Sequence, residues 1–188
     1  MPSTDGTHMN SKSSTRRRQT GFSLVESLLG VAITCVALGS ALPEFQAVKE
    51  RRHLEGVSAQ LETDIQLARS EAVTRNHTLR LAFASTAAGS CYVVHTGRSS
   101  ECSCNPDGNS ICTGSAKILR ATGFKADGAV QLRSNVSSIV FDPIQGTLTP
   151  TGTFRFTGAK NSEVRLVVNI MGRVRACTPT RVAGYVTC

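Results

Sequence analysis

The hydrophobic rhythm of the chain changes three times. From Phe22 to Leu42 the residues are apolar or small, with Glu26 as the single charge. As a helix rising about 1.5 Å per residue, this stretch reaches about 31 Å, the thickness of a bilayer's hydrocarbon core. Beyond Pro43 the pattern becomes amphipathic: Leu54, Val57, Leu61, Ile65, Ala68 and Ala72 recur at intervals of three or four, while Glu55, Glu62, Asp64, Arg69 and Glu71 fall elsewhere on the surface. This spacing predicts that the helix continues to about Thr74, with Asn76 at its C-terminal end and its apolar face packed on the downstream domain. After it the period drops to two. Leu79, Leu81 and Phe83 alternate, and short runs at Tyr92–Val94, Lys117–Ala121, Val130–Leu132, Ser138–Phe141, Thr153–Phe156 and Val164–Ile170 read as strands. Turn signals punctuate them at Asp127-Gly128, Asp142-Pro143, Gln145-Gly146, Thr151-Gly152 and Met171-Gly172. The expected fold is α+β: a long N-terminal helix over residues 22–75, membrane-spanning over 22–42, packed on an antiparallel β-rich domain of residues 76–188.

Charge fixes the orientation expected of the span. Lys12, Arg16, Arg17 and Arg18 precede it, and basic residues beside a first span hold that end in the cytoplasm, which places residues 76–188 in the periplasm. A secretory signal peptide also has a basic start and an apolar core, but here the small residue Gly21 lies before the core rather than after it, the core is too long, and Glu26 interrupts it. A carboxylate within a span is costly unless it is paired or lies at the headgroup level. The pairing partner that fits is a positive group on another copy of the chain, such as an amine released by cleavage at Gly21.

Gly21-Phe22-Ser23-Leu24-Val25-Glu26, next to a basic leader and an apolar span, resembles the processing site of type IV pilins and type II secretion pseudopilins. The resemblance implies a leader of residues 1–21, cleavage after Gly21 by a prepilin peptidase, N-methylation of Phe22, and Glu26 as the fifth residue of the mature chain, where it directs assembly. It also implies other pilins or pseudopilins as partners through the N-terminal helix. The location implied is the bacterial inner membrane first and a pilus or pseudopilus filament afterwards. Pro43 falls where many pilins carry a helix-kinking proline.

Size and cysteine content agree with one exported domain. The chain has 188 residues and a formal net charge of +8, and the part beyond the span is within the range of a single compact domain. Removing the leader, with four basic residues and Asp5, leaves a charge of +5. Cys35 lies in the span as a small apolar residue. Cys91, Cys102, Cys104, Cys112, Cys177 and Cys188 lie outside it, and six cysteines in an oxidising compartment suggest disulfides, with 15 possible pairings. Cys177 and Cys188 are expected to close a C-terminal loop. The pairing of the other four is open, although Cys102 and Cys104 are too close to pair comfortably with each other. Zinc is the competing reading of this cluster, but no C-x-x-C pair is present, and neither a metal nor a cofactor is expected.

In the second half, Ile139-Val140-Phe141-Asp142-Pro143, Gly146 and Val167-Val168-Asn169-Ile170-Met171-Gly172-Arg173-Val174-Arg175 are similar to the GspH/FimT group of minor pilins, FimT branch. Residues 84–135 carry no comparable motif, and the Cys-rich stretch looks like an insertion. In that branch a G-R-x-R sequence is implicated in binding DNA during natural transformation, and Gly172-Arg173-Val174-Arg175 matches it. The implied function is a minor type IV pilin that joins or primes a pilus and binds double-stranded DNA without sequence specificity. The alternatives are a minor pseudopilin of a type II secretion system and a purely structural minor pilin.

The residues support DNA contact on their own terms. Guanidinium groups hold phosphates in a planar fork, and from Val164 onward Arg165, Arg173, Arg175 and Arg181 occur with no acid. Two arginines two residues apart on a strand share a face and lie about 6.6 Å apart. Lys160 and Arg181 are candidates for the same patch. The bland reading is a solvated Gly-Arg turn, which also occurs in pseudopilins. Lys117, Arg120 and Lys125 read as a solvated strand edge. With no Trp and only Tyr185 in the tail, a base-stacking platform is not expected. His53, His77 and His95 are scattered and no nucleophile turn or P-loop occurs, so catalysis is not expected either.

Overall fold

The computed structural model describes residues 23–158, 162–179 and 184–188, with the backbone alone for residues 40–44, 46 and 47. Helix α1 spans Leu24–Arg75. It begins at Ser23, whose Oγ accepts the Glu26 N–H at 3.3 Å. Ser23-Leu24-Val25-Glu26 is thus a Ser-x-x-Glu helix start, with an acid in the first turn where the helix dipole favours it. It ends as expected at Asn76, in the left-handed region at φ 51°. The Asn76 N–H reaches the Val73 carbonyl at 3.3 Å and the His77 N–H reaches that of Ala72 at 3.1 Å, which together make a Schellman cap.

The chain divides into two compact units, residues 1–42 and 43–188. In the first, Leu24, Val25, Leu28, Leu29, Val31, Ile33, Val36 and Leu38 are all exposed. Among the described residues no helix is long and apolar enough to cross a membrane. The expected span 22–42 includes Phe22, which lies outside the described residues, and three residues whose side chains are not described.

In the second unit, α1 presents Leu54, Leu61, Ile65, Ala68 and Ala72 to a core, with Val57 packed at its edge, as the spacing predicted. Twelve strands come after it among the described residues: β1 (Leu79–Thr86), β2 (Gly89–Thr96), β3 (Cys102–Cys104), β4 (Ser110–Cys112), β5 (Ile118–Lys125), β6 (Val130–Ser134), β7 (Ser138–Phe141), β8 (Leu148–Thr149), β9 (Gly152–Gly158), β10 (Glu163–Val168), β11 (Val174–Thr178) and β12 (Val186–Thr187). They form a five-stranded sheet ordered β5-β2-β1-β7-β8, a second ordered β12-β11-β10-β9-β6, and a β3–β4 pair. All pairings are antiparallel except β11 with β12. Tyr92 and Phe124 of the first sheet and Phe154, Phe156 and Leu166 of the second join the helix residues in one core.

Two expectations are corrected, and the open cysteine pairing is resolved. Asp64 is buried rather than on the surface, and it accepts a hydrogen bond from the Tyr92 hydroxyl at 2.7 Å. The strand expected to run to Ile170 ends at Val168, because Asn169 opens a turn. The Cys-rich stretch contains a small hairpin: Cys102 bonds Cys112 across the β3–β4 pair, and Cys91 of β2 bonds Cys104. Two disulfides thus fasten that hairpin internally and to the first sheet. Cys177 and Cys188 pair as expected.

Candidate functional site

The Gly-Arg-Val-Arg segment forms the turn and first residues of the hairpin between β10 and β11. The Gly172 N–H donates to the Asn169 carbonyl at 3.0 Å, the Asn169 N–H donates to the Arg173 carbonyl at 3.1 Å, and the Arg173 N–H donates to Asn169 Oδ1 at 2.8 Å. With Gly172 at φ 75°, this is the arrangement of a three-residue hairpin loop closed by a left-handed glycine. Gly172 is also buried against the helix. Its carbonyl accepts from Gln66 Nε2 at 2.9 Å, and a Cβ added to it would lie 2.9 Å from Arg69 Cδ and 3.0 Å from Leu148 Cδ1.

Arg69 links this hairpin to the second similar segment of the sequence. Its Nε donates to the carbonyl of Gly146 at 2.8 Å, and Gly146 is itself left-handed at φ 62°. Asp142 shapes that loop by accepting the N–H groups of Ile144 and Gln145 on its Oδ1, each at 2.8 Å. The Leu148 N–H then donates to the Ile170 carbonyl at 2.8 Å. Asp142, Gly146 and Gly172, distant in sequence, together hold the hairpin at a fixed place on α1.

What the hairpin presents is charge. Arg173 and Arg175 are exposed, and among the described residues neither guanidinium has an ion-pair or hydrogen-bond partner. Arg173 precedes β11 and Arg175 lies within it. Both come before Cys177, so the disulfide-closed loop does not contain them. Arg165 is different: it is half-buried on β10 and paired with Glu163, which stands one residue before the acid-free tail. Gly21, Phe22, Lys160 and Arg181 lie outside the described residues. Glu26 is exposed in the first turn of α1.

The other basic group is partly engaged. Arg120 lies 3.8 Å from the buried Asp64 and Lys125 lies 3.1 Å from Asp107, which pushes the Lys125 pKa up from its ordinary value through that hydrogen bond and charge. Burial pushes the Tyr92 hydroxyl well above the usual tyrosine range, and the adjacent Asp64 adds to the effect while a hydrogen bond with Thr122 opposes it. Sequence reasoning passed over two exposed arginines, Arg133 and Arg155. The signal was present in Leu132-Arg133 and Phe154-Arg155-Phe156, where each arginine holds the outward position beside core residues.

Residues 58–172 match the type II transport protein GspH family. The chain belongs to that family. The fold of this GspH-family chain is similar to that of the type IV minor pilin FimU of Pseudomonas aeruginosa strain PAO1, with a TM-score of 0.50 and 19% identity over 72% of this chain and 96% of FimU. The minor pseudopilin EpsH of the Vibrio cholerae type 2 secretion system gives a TM-score of 0.46 and 14% identity over 67% of this chain and 98% of EpsH. No curated protein matches the sequence significantly. As a GspH-family member, the chain carries a long N-terminal helix, antiparallel sheets and a C-terminal disulfide.

Proposed function

We propose that this GspH-family protein is a minor type IV pilin that joins or primes a pilus and captures double-stranded DNA for natural transformation. The observation that carries the reading is the β10–β11 hairpin, which displays Arg173 and Arg175 exposed and, among the described residues, without internal partners. Such guanidinium groups fit phosphate oxygens and read no base, so the contact is indifferent to sequence and weakened by salt. Gly172 serves the turn and its docking on α1, while the two arginines make the contact. Arg165, Arg181 and Lys160 are weaker contributors to the same surface.

The N-terminal part of the proposal follows the pilin pattern. Prepilin peptidase removes residues 1–21 after Gly21 and methylates Phe22, the segment 22–42 holds the protein in the inner membrane with its N-terminus in the cytoplasm, and residues 76–188 form the periplasmic domain. Glu26 then brings the helix into the filament among those of other pilins. The exposed apolar residues from Leu24 to Leu38 supply the surface that lipid or neighbouring helices cover. Catalysis has no part in this reading.

The test is equilibrium binding of full-length protein in a non-ionic detergent to duplex DNA at two salt concentrations, with R173Q/R175Q beside the wild type. The expected result is salt-sensitive binding that the double change weakens for every duplex sequence alike. Absence of binding, or binding untouched by the change, removes the receptor role.

A second reading has its own support in the matching family, whose description is a type II transport protein. In it the chain is a minor pseudopilin of a secretion machine, and the same arginines contact exported proteins or neighbouring subunits.

A further inference from the structure

The register of the second sheet brings together arginines that are scattered in sequence. Arg133 on β6 stands directly opposite Arg155 on β9, and Arg155 stands directly opposite Arg165 on β10. Arg165 is in turn opposite Cys177, so Arg175 lies one strand over and two residues along, a diagonal neighbour. Alternation places these residues on the face away from the core: Leu132, Phe154, Phe156, Val164 and Leu166 are the buried members of the same strands. Glu163 is the one acid on that face of these strands, paired with Arg165. Arg133 and Arg155 are exposed and, among the described residues, have neither an ion pair nor a side-chain hydrogen bond.

Stability alone gives no reason for this arrangement. Like charges directly opposite each other across two strands destabilise a sheet. Here Arg133 faces Arg155 with no acid to offset them, and Arg155 faces Arg165, whose charge Glu163 only partly balances. A polyanion laid over the row would reverse the sign of the effect. The surface is also shaped to receive one: a groove of about 420 Å³ is lined by Arg133, Asn135, Thr153, Arg155 and Arg165, with the Cys177–Cys188 disulfide as one wall. From β11 to β6 there are three gaps between neighbouring strands, about 14 Å in all. That length matches about four nucleotides of one DNA strand at 3.4 Å each.

We propose that the outer face of the second sheet is a phosphodiester-binding track in which Arg133, Arg155 and Arg165 continue, across the strands, the contact that the Gly172–Arg175 hairpin begins. This rests on the DNA-capture reading and extends its footprint from a hairpin tip to a sheet face. The backbone of a nucleic acid is the ligand that fits, because a row of guanidinium forks with no aromatic residue among them recognises phosphates and not bases.

The experiment compares four full-length proteins in non-ionic detergent: wild type, R133Q/R155Q, R133K/R155K and R173Q/R175Q. Affinity for random-sequence duplex is measured over a series of salt concentrations, together with the unfolding temperature of each protein. The expected result is that R133Q/R155Q weakens binding to every duplex and lowers the slope of log affinity against log salt by about 2. Its unfolding temperature should be unchanged or higher, because the repulsion across the strands is relieved, and R133K/R155K should keep most of the slope. Binding by R133Q/R155Q at the wild-type level, while R173Q/R175Q fails to bind, overturns the track and leaves the hairpin reading standing. Loss of binding by R133Q/R155Q together with a lowered unfolding temperature also overturns it, since the arginines would then be structural. If the wild type binds no duplex, both readings fall together.

Discussion

At the scale of single residues, Gly172 has two structural duties that no other residue type meets. It adopts φ 75° and lies where an added Cβ would press on Arg69 and Leu148. Arg69 is held by its bond to the Gly146 carbonyl and Leu148 is fully buried, so crowding adds to the left-handed strain, and Gly172→Ala should cost about 2–4 kcal/mol in denaturant unfolding. Tyr92 is the second such residue. Replacing it with Phe leaves Asp64 buried without its hydroxyl donor, at a cost of about 1–3 kcal/mol. Because folding raises the Tyr92 pKa, the stability it contributes is complete below the ordinary tyrosine value of about 10 and is lost as pH rises beyond it. Ultraviolet titration should therefore show Tyr92 ionising only with unfolding, and in Tyr92→Phe that portion of the alkaline loss should disappear. The G-R-x-R segment can be read directly in the sequence, but the burial of Asp64 cannot, because helical spacing alone marks a charged residue as outward. The buried hydroxyl that donates to it comes from a strand 28 residues away.

At the scale of elements, the apolar stripe from Leu54 to Ala72 and the period-two runs after Leu79 were legible because burial on one face imposes its period on the sequence. The second part of the β10–β11 hairpin was not, because its inward apolar positions, Val174 and Ala176, are only two small residues set between Arg173, Arg175 and Cys177, too short an alternation to mark a strand. The Cys-rich hairpin was illegible for a different reason: its order comes from covalent bonds, and composition leaves the pairing open. Its two bridges, Cys91–Cys104 and Cys102–Cys112, close short loops with separations of 13 and 10 residues. Replacing Cys91 and Cys104 with Ser should cost about 3 kcal/mol by the loop-entropy argument, read from thermal unfolding, while peptide mapping still finds Cys102 joined to Cys112. The arginine row on the second sheet needed the register, which no periodicity supplies. Each arginine fits its own strand's alternation, yet their alignment emerges only when the strands are paired.

At the scale of the whole molecule, the two ends of the chain answer different questions. The N-terminal pattern around Glu26 bears on the mode of assembly, and the structure adds that Glu26 sits beside the Ser23 cap in the first turn of α1. Glu26→Gln should therefore leave processing intact and keep the protein out of filaments, as judged by its absence from sheared pili. Normal filament entry would make the charge incidental to assembly and leave it only its place in the helix start. Gly21→Val should block processing, visible as a chain that keeps its leader in mass spectrometry. On the proposed reading, it is the arginines at the far end of the chain that separate a role in the pilus from one in a secretion machine. The decisive measurement is transformation frequency in a deletion strain complemented with either the wild-type protein or R173Q/R175Q, with type II secretion assayed in parallel. The expected result is that the wild type restores transformation, R173Q/R175Q does not although it still enters filaments, and secretion is normal throughout. Full transformation with R173Q/R175Q, or a deletion that abolishes secretion and leaves transformation untouched, would overturn the DNA-capture reading.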